Sequence, residues 1–186
     1  KRAVVEAGLG AGGREVNIIP QPLAAALGVD LPINTPTGNM IICLGAGTTQ
    51  AAVISMTGIV SAETNHTAGL KLDEAIINYV RKKYGLIIGQ PTAEQLKLNI
   101  GAASPTQEEK TMEIQGQDQV TGLPKPASLT TNEIVEALQP PLEDIVAAIR
   151  RVLEKTPPEL ISDIIDRGVA LCGGTSLLKG LDKYLT

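Results

Sequence analysis

The sequence Met40-Ile41-Ile42-Cys43-Leu44-Gly45-Ala46-Gly47-Thr48-Thr49 decides how the rest of the chain is interpreted. Its first half is an apolar run typical of a buried strand, its second half is a short turn, and a β-prone run, 50–55, follows at once. We therefore expect a hairpin with a glycine-rich tip. Backbone N–H groups at such a tip can converge on phosphate, with two threonine hydroxyls as further donors. Glycines that only allow the chain to turn would give the same pattern, so both interpretations stay open here.

The composition predicts a globular protein with an aliphatic core. A chain of 186 residues is long enough for one ordinary domain or two small ones. Sixteen Lys and Arg residues stand against twenty Asp and Glu residues, and the formal charge of −4 argues against a nucleic-acid surface built on excess positive charge. The three tyrosines are the only aromatic residues, which argues against a surface that stacks bases. We expect no nucleic-acid partner.

The cysteines and the hydropathy predict a cytoplasmic location. Cys43 and Cys172 lie in apolar runs without metal-ligand spacing, which favours buried free thiols in a reducing compartment and argues against a zinc site. No apolar run reaches the roughly twenty residues that a membrane-spanning helix needs. The chain starts at Lys1 within a helical pattern, so we expect it to be a fragment of a longer protein.

Apolar periodicity and the positions of glycine and proline predict an alternation of helices and strands. Helices are expected at 2–11, 23–27, 70–84, 92–100, 131–155, 159–165 and 175–185, and strands at 15–19, 40–44, 50–55, 59–64 and 169–172. Short alternating runs within 104–130 predict a small inserted sheet.

Three details of these elements are specific enough to test. Thr92 is a candidate N-cap for the helix that follows it. Pro140 and Pro141 fall inside the long helix and predict a kink or two abutting helices. Near the end of the chain, a strand, the pair Gly173-Gly174 and a helix predict a second anion contact at a helix N-terminus.

Several short motifs stand in the order and spacing of one known family. They occupy 21–26, 45–49, 73–79, 121–124, 156–160, 163–168 and 173–174. Taken together they resemble the MreB family of bacterial actin homologues, and the similarity covers almost the whole chain. The sequences Thr-Pro-Pro-Glu-Leu at 156–160 and Asp-Ile-Ile-Asp-Arg-Gly at 163–168 favour MreB over the wider superfamily of actin, sugar kinases and DnaK chaperones.

The resemblance implies an α/β fold, a lobe of an actin-like ATPase of the ribonuclease H-like type with a small inserted α+β subdomain. Residues 1–35 would be the end of the first lobe and the connection between lobes. Residues 36–91 and 157–186 would form the second-lobe core with the phosphate hairpin, and 92–156 the inserted subdomain.

The resemblance also implies a set of nucleotide contacts, with ATP as the cofactor and Mg-ATP expected in the full-length protein. The implied residues are Gly45, Ala46, Gly47, Thr48 and Thr49 for the phosphates, Glu94 and Lys97 for the ribose and purine, Gly173, Gly174 and Thr175 for the adenosine, and Gln21 for the attacking water. Without the resemblance, Glu94 and Lys97, three residues apart on a helix, fit a solvated surface ion pair.

Three residues depart from the family pattern. Gln21 stands where MreB proteins carry Glu, Cys43 where they carry an Asp that organises the metal-bound water, and Leu70 where they carry an acidic residue. A thiol is a poor ligand for Mg²⁺, which prefers oxygen donors. We therefore expect weak nucleotide binding, slow or absent hydrolysis, and no metal ligand among the side chains.

The resemblance implies a cytoskeletal function. Such a protein binds nucleotide, forms filaments with copies of itself, and acts in cell shape with cell-wall synthesis and membrane-linked shape proteins. Any membrane association would come from partners or from segments outside this chain. The alternative is a nucleotide-dependent chaperone or kinase-like enzyme lobe of the same superfamily, and fold alone does not separate the two.

Overall fold

The computed structural model describes residues 1–185. In chain order its elements are α1 (Arg2–Gly10), α2 (Gln21–Gly28), β1 (Asn39–Leu44), β2 (Thr49–Ser55), β3 (Gly58–Asn65), α3 (Gly69–Tyr84), β4 (Leu86–Ile87), α4 (Gln90–Ile100), β5 (Thr111–Asp118), β6 (Pro124–Thr130), α5 (Thr131–Glu154), α6 (Pro158–Arg167), β7 (Val169–Cys172) and α7 (Leu181–Tyr184).

The main sheet has four strands in the order β3-β2-β1-β7. Strands β1, β2 and β3 form an antiparallel meander, and β7 runs parallel to β1 at the edge. Alternate residues of β1 face opposite sides of the sheet. Met40 and Ile42 pack into the large core with α3 and α5, whereas Ile41 packs with Ala26 of α2 on the other side. Because both faces are covered, β1 is a continuous apolar run.

The second sheet has three strands in the order β4-β5-β6. Its inward side chains, Ile114 and Leu129, join the large core together with Leu86 and Leu96. The small sheet expected within 104–130 is confirmed, and the structure adds the short strand β4 to it.

Helix α5 crosses the main sheet and is continuous past both prolines. It begins with a capping box, in which the Glu133 N–H donates to the Thr130 hydroxyl and the Thr130 N–H donates to the Glu133 carboxylate. The expectation of two abutting helices is wrong. Leu138 and Leu142 are buried in the same core on either side of the prolines, and this packing offsets the lost backbone hydrogen bonds.

Two sequence-based expectations are wrong, the strand at 15–19 and the start of α4 at Thr92. Residues 15–19 form no strand, because no other strand within residues 1–185 pairs with them. Helix α4 begins at Gln90 after the N-cap Gly89, and Thr92 lies inside it without capping its start. Pro91 in the first turn, where the missing N–H costs nothing, sets that start.

The segment after β7 also differs from the expected single helix. A 3₁₀ turn at Gly174–Leu177 is followed by Gly180 in a left-handed conformation, φ 76°, and then by the short α7. The expected helix N-terminus behind the glycine pair is therefore not present. The hairpin of β1 and β2, the third meander strand, α1, α2, α3, α6 and β7 are confirmed. Within residues 1–185 no helix is long and apolar enough to cross a membrane.

Candidate functional site

Two loops leave the main sheet at the same edge. The first, residues 45–48, joins β1 to β2, and the second, residues 173–175, follows β7. Strands β1 and β7 are parallel, and Cys43 lies in register with Cys172. The two loops that follow these strands therefore leave the sheet side by side. The hydroxyl of Thr175 donates to the carbonyl oxygen of Gly45 at 2.9 Å and ties the loops together.

Gly173 is required for this close approach. Its φ of 91° lies in a region that only glycine adopts readily, and a Cβ at this position would overlap the backbone of Leu44. The resemblance to MreB implies an adenosine contact for Gly173. In the structure Gly173 allows the second loop to pass directly over the end of β1.

The start of α3 holds the first loop from behind. The backbone N–H groups of Gly69 and Leu70 donate to the carbonyl oxygens of Gly45 and Ala46, at 3.1 and 2.8 Å. A Cβ at Gly69 would lie 2.8 Å from Thr175 Oγ1, so the helix start, the first loop and the second loop are in contact. The loop carbonyls are thus turned toward the protein.

The N–H groups at the tip of the first loop are free. The Gly45 N–H donates to the Thr48 carbonyl oxygen at 3.0 Å, but those of Ala46, Gly47 and Thr48 donate to no acceptor within residues 1–185. A Cβ at Gly47 would meet nothing within 4 Å, so the space in front of the tip is open. Successive free N–H groups in a concave turn are a site for an anion such as phosphate.

Thr48 and Thr49 differ in what they can donate. Thr48 is half-buried at the tip. Thr49 is 1% exposed, and its hydroxyl donates to the carbonyl oxygen of Thr67 at 2.8 Å. The expectation that both hydroxyls are available to an anion is therefore wrong for Thr49, whose side chain fixes the first residue of β2.

Lys97 forms an interior ion pair that the sequence analysis missed. Its ammonium lies 2.6 Å from Asp73 Oδ1 of α3, and the side chains of Lys97 and Asp73 are 12% and 3% exposed. Lys97 also donates to the carbonyl oxygen of Gly69 at 3.2 Å. Glu94 is exposed, so a solvated Glu94–Lys97 pair does not describe the observed contact.

Burial disfavours the ionised form of Asp73, and Lys97 stabilises it. Burial raises the pKa of Asp73, the Lys97 ammonium lowers it, and the negative charge of Glu94 raises it. The sequence carried a signal for this residue, because Asp73 falls on the buried stripe of α3 formed by Gly69, Leu72, Ile76 and Val80. An acidic residue on an apolar stripe predicts a buried partner.

A cavity of about 220 Å³ lies between α4 and the second loop. It brings together three residues named from the sequence, and its walls are Leu72, Lys97, Leu98, Asn99, Gly101, Lys110, Gly174, Thr175, Leu177, Leu178 and Lys179. Apolar walls with a few polar groups suit a small organic ligand. Thr175 lines the cavity and contacts Gly45, the residue directly before those with the free N–H groups.

Gln21 lies apart from these loops in the chain and on another face of the sheet. It is exposed at the first residue of α2, which packs through Ala26 on the Ile41 face of β1. Within residues 1–185 the Gln21 side chain makes no hydrogen bond. Its amide is free to orient a polar ligand.

The side chains of the site do not fit a directly bound Mg²⁺ ion. Within residues 1–185 no group of three His, Cys, Asp or Glu residues could hold a metal ion. Burial, together with the Cys172 thiol, raises the pKa of Cys43 to about 12, so Cys43 is a neutral thiol. The buried carboxylate, Asp73, is paired with Lys97. The loop fits a phosphate group.

A family model described as MreB/Mbl protein matches residues 1–186. The chain belongs to the MreB/Mbl family. It is 48% identical over 185 residues to the cell shape-determining protein MreB of Escherichia coli and 43% identical to the cell shape-determining protein Mbl of Bacillus subtilis. These matches cover 100% of the chain but 53% and 56% of the relatives, so the chain spans about half of their length.

Solved structures agree with the family assignment. MreB5 of Spiroplasma citri bound to ADP superposes with a TM-score of 0.95 at 38% identity, over 98% of this chain and 56% of that one. The same protein bound to AMPPNP gives 0.92 at 38% identity. A MamK double helical filament gives 0.69 at 24% identity, over 88% of this chain and 48% of that one, which shows the fold alone. The actin-like fold and the resemblance to MreB are confirmed.

Proposed function

We propose that this chain is part of an actin-like cytoskeletal protein of the MreB type that binds ATP and ADP between its two loops. The observation that carries the proposal is the row of free N–H groups at Ala46, Gly47 and Thr48, beside a cavity walled by Lys97 and Thr175. Donors without acceptors next to a cavity suit a phosphate attached to an organic group. The ADP and AMPPNP bound to the MreB5 structures support this ligand class.

Each named residue has a role in this proposal. The first loop binds phosphate through its N–H groups, and Thr49 fixes the base of the loop through Thr67. Gly174 and Thr175 face the nucleoside part in the cavity, and Gly173 lets their loop pass close to Leu44. Lys97 contributes its positive charge to the cavity wall while neutralising Asp73, and the exposed Glu94 stands beside them on α4.

We further propose that hydrolysis is slow. A glutamine at position 21 can orient a water molecule but cannot act as a general base near neutral pH. The side chain of Cys43 ends in a neutral thiol. It therefore has no carboxylate oxygen that could organise the water around a bound metal ion. The chain is thus equipped to hold a phosphate more than to cleave it.

The family supports a structural function. The relatives are cell shape-determining proteins, and the MamK structure is a filament. We propose that the full-length protein forms filaments with copies of itself and acts in cell shape with cell-wall synthesis and membrane-linked partners in the cytoplasm. The division at 1–35, 36–91 with 157–186, and 92–156 is part of this proposal. The relatives named above are cell shape-determining proteins, which favours this function over the alternative of a chaperone or kinase-like enzyme.

Calorimetric titration of ATP and ADP into the full-length protein tests nucleotide binding, and ultracentrifuge pelleting at rising protein concentration, with and without ATP, tests filament formation. We expect saturable binding of both nucleotides and sedimentation above a critical concentration. Absence of binding would contradict the nucleotide site. A protein that binds nucleotide yet stays monomeric at every concentration would contradict the cytoskeletal function and favour the enzyme alternative.

A further inference from the structure

The only two cysteines of the chain lie side by side in the main sheet. Cys43 of β1 is in register with Cys172 of the parallel strand β7, so both side chains point to the same face. Both pack in the small core with Ile41 and Ala52. Neighbouring strands are about 4.8 Å apart, within the range of about 4.4–6.8 Å between Cα atoms that a disulfide spans.

The two thiols differ in access to solvent. Cys43 is 2% exposed in a central strand, whereas Cys172 is partly exposed at the end of the edge strand β7. Burial, and then the neighbouring Cys172 thiol, raise the pKa of Cys43 to about 12. A small oxidant therefore reacts with Cys172 first, and Cys43 is held beside it as a second thiol.

We propose that Cys43 and Cys172 form a reversible disulfide when the protein meets hydrogen peroxide, with Cys172 oxidised first and Cys43 resolving it. This inference goes beyond nucleotide binding and does not depend on it. The proposal depends on the two thiols lying next to each other, because either cysteine alone could not form this bond.

The chemistry proceeds in two balanced steps. The Cys172 sulfur attacks one oxygen of hydrogen peroxide, the O–O bond breaks, and the released hydroxide takes the thiol proton to leave as water. This gives a sulfenic acid at Cys172. The Cys43 sulfur then attacks the Cys172 sulfur, the S–O bond breaks, and the hydroxide leaves as a second water with the Cys43 proton. Two thiols are oxidised by two electrons and one peroxide is reduced.

The sheet can accept this bond without losing its core. Strand β7 has four residues, lies at the edge and is paired only with β1 among the strands within residues 1–185, so a small shift of Cys172 toward Cys43 disturbs no further strand. The bond would join the chain two residues before Gly45 to the residue directly before Gly173. Oxidation would therefore fix the two loops relative to each other.

The test is thiol titration of the denatured full-length protein after treatment with hydrogen peroxide, followed by a non-reducing peptide map. We expect both cysteines of this segment to be lost from the thiol count and one peptide pair, carrying Cys43 and Cys172 from the same chain, to appear. Reduction with dithiothreitol should restore both thiols. Free thiols at both positions after treatment, or a link between separate chains, would overturn the proposal.

Two single variants test the order of the steps with dimedone, which labels sulfenic acids. In Cys43→Ser, Cys172 has no partner, and we expect its sulfenic acid to accumulate and take up the label. In Cys172→Ser, we expect Cys43 to remain unlabelled because it is buried. Labelling of Cys43 but not of Cys172 would contradict the assigned order, and circular dichroism of both variants shows whether each remains folded.

Discussion

The hydroxyl of Thr175 donates to the carbonyl oxygen of Gly45 at 2.9 Å and joins two loops that are 130 residues apart in the chain. The Gly45 carbonyl also accepts from the Gly69 N–H at 3.1 Å. One backbone oxygen therefore receives donors from two other elements. This contact holds the first loop in the position that leaves its remaining N–H groups free.

Thr175→Val should weaken both stability and nucleotide binding. Valine keeps the shape of the side chain and removes the donor to Gly45, so we expect a loss of about 1 kcal/mol in the free energy of unfolding and about fivefold weaker ADP binding. Urea unfolding and calorimetry measure the two effects. The matched control is Thr64→Val, at an exposed position of β3, which should leave ADP affinity unchanged. Equal effects of the two variants would contradict the role of Thr175.

The neighbouring glycines Gly173 and Gly174 should respond very differently to alanine. Gly173→Ala places a Cβ against the Leu44 backbone at a φ of 91°, and we expect a loss of about 3 kcal/mol or more in unfolding free energy. A Cβ at Gly174 meets nothing within 4 Å, so Gly174→Ala should stay within about 0.5 kcal/mol of the wild type. Similar losses in the two variants would show that the second loop does not cross the end of β1 as described.

Lys97→Met should be strongly destabilising, because it leaves the buried carboxylate of Asp73 without its partner. We expect a loss of about 3–5 kcal/mol, with partial recovery when Asp73→Asn is added. The control is Lys71→Met, which removes the partner of Glu74 in a pair whose side chains are 53% and 56% exposed and should cost less than about 1 kcal/mol. Denaturant unfolding of the wild type, Lys97→Met, Asp73→Asn and the double variant gives the coupling between the two residues directly. A cost for Lys97→Met no larger than that of the control would mean that Asp73 is not held as an ion.

Glu133 should make the stability depend on acid pH. Burial opposes its ionisation, but the Lys83 ammonium at 2.7 Å, the Tyr84 hydroxyl at 2.6 Å and the Thr130 N–H at 2.8 Å outweigh it, and the pKa of Glu133 is lowered from its ordinary value of 4.5. A carboxyl group with a lowered folded-state pKa adds stability above its unfolded pKa and loses that stability as pH falls through the folded value.

Comparison of the wild type with Glu133→Gln isolates this effect. The difference in unfolding free energy should be largest near neutral pH and shrink as the pH falls below about 4.5. Tyr84→Phe, which removes one of the donors to Glu133, should show an intermediate dependence. A difference that is constant from neutral to acid pH would contradict the assignment of the lowered pKa to this group.

The sequence was sufficient for those elements whose pattern is local. The unbroken apolar run of β1 predicted a buried strand, and the glycine-rich tip predicted the hairpin. The extended-looking segment 15–19 was misassigned because a strand needs a partner, which local β propensity does not reveal. Packing kept α5 continuous through Pro140 and Pro141, against the local preference of proline.

The candidate site was predictable in its backbone and less so in its side chains. The two loops followed from their glycines, but the partner of Lys97 depends on how α3 packs on α4, which no local pattern specifies. The hydroxyl of Thr49 donates to the carbonyl oxygen of Thr67, eighteen residues away, and this partner too depends on the tertiary fold. Backbone sites follow from turn chemistry, whereas side-chain partners follow from the tertiary fold.

Binding of AMPPNP to Gly47→Ala in the full-length protein tests the phosphate loop most directly. A Cβ at Gly47 meets no protein atom within 4 Å but stands in the space that a phosphate would occupy, so the fold should be unchanged while the ligand is hindered. The control is Gly28→Ala at the end of α2, where a Cβ also meets nothing within 4 Å. We expect affinity to fall at least tenfold for Gly47→Ala, a change of about 1.4 kcal/mol, and to be unchanged for Gly28→Ala. Unchanged affinity in both variants would contradict phosphate binding at this loop.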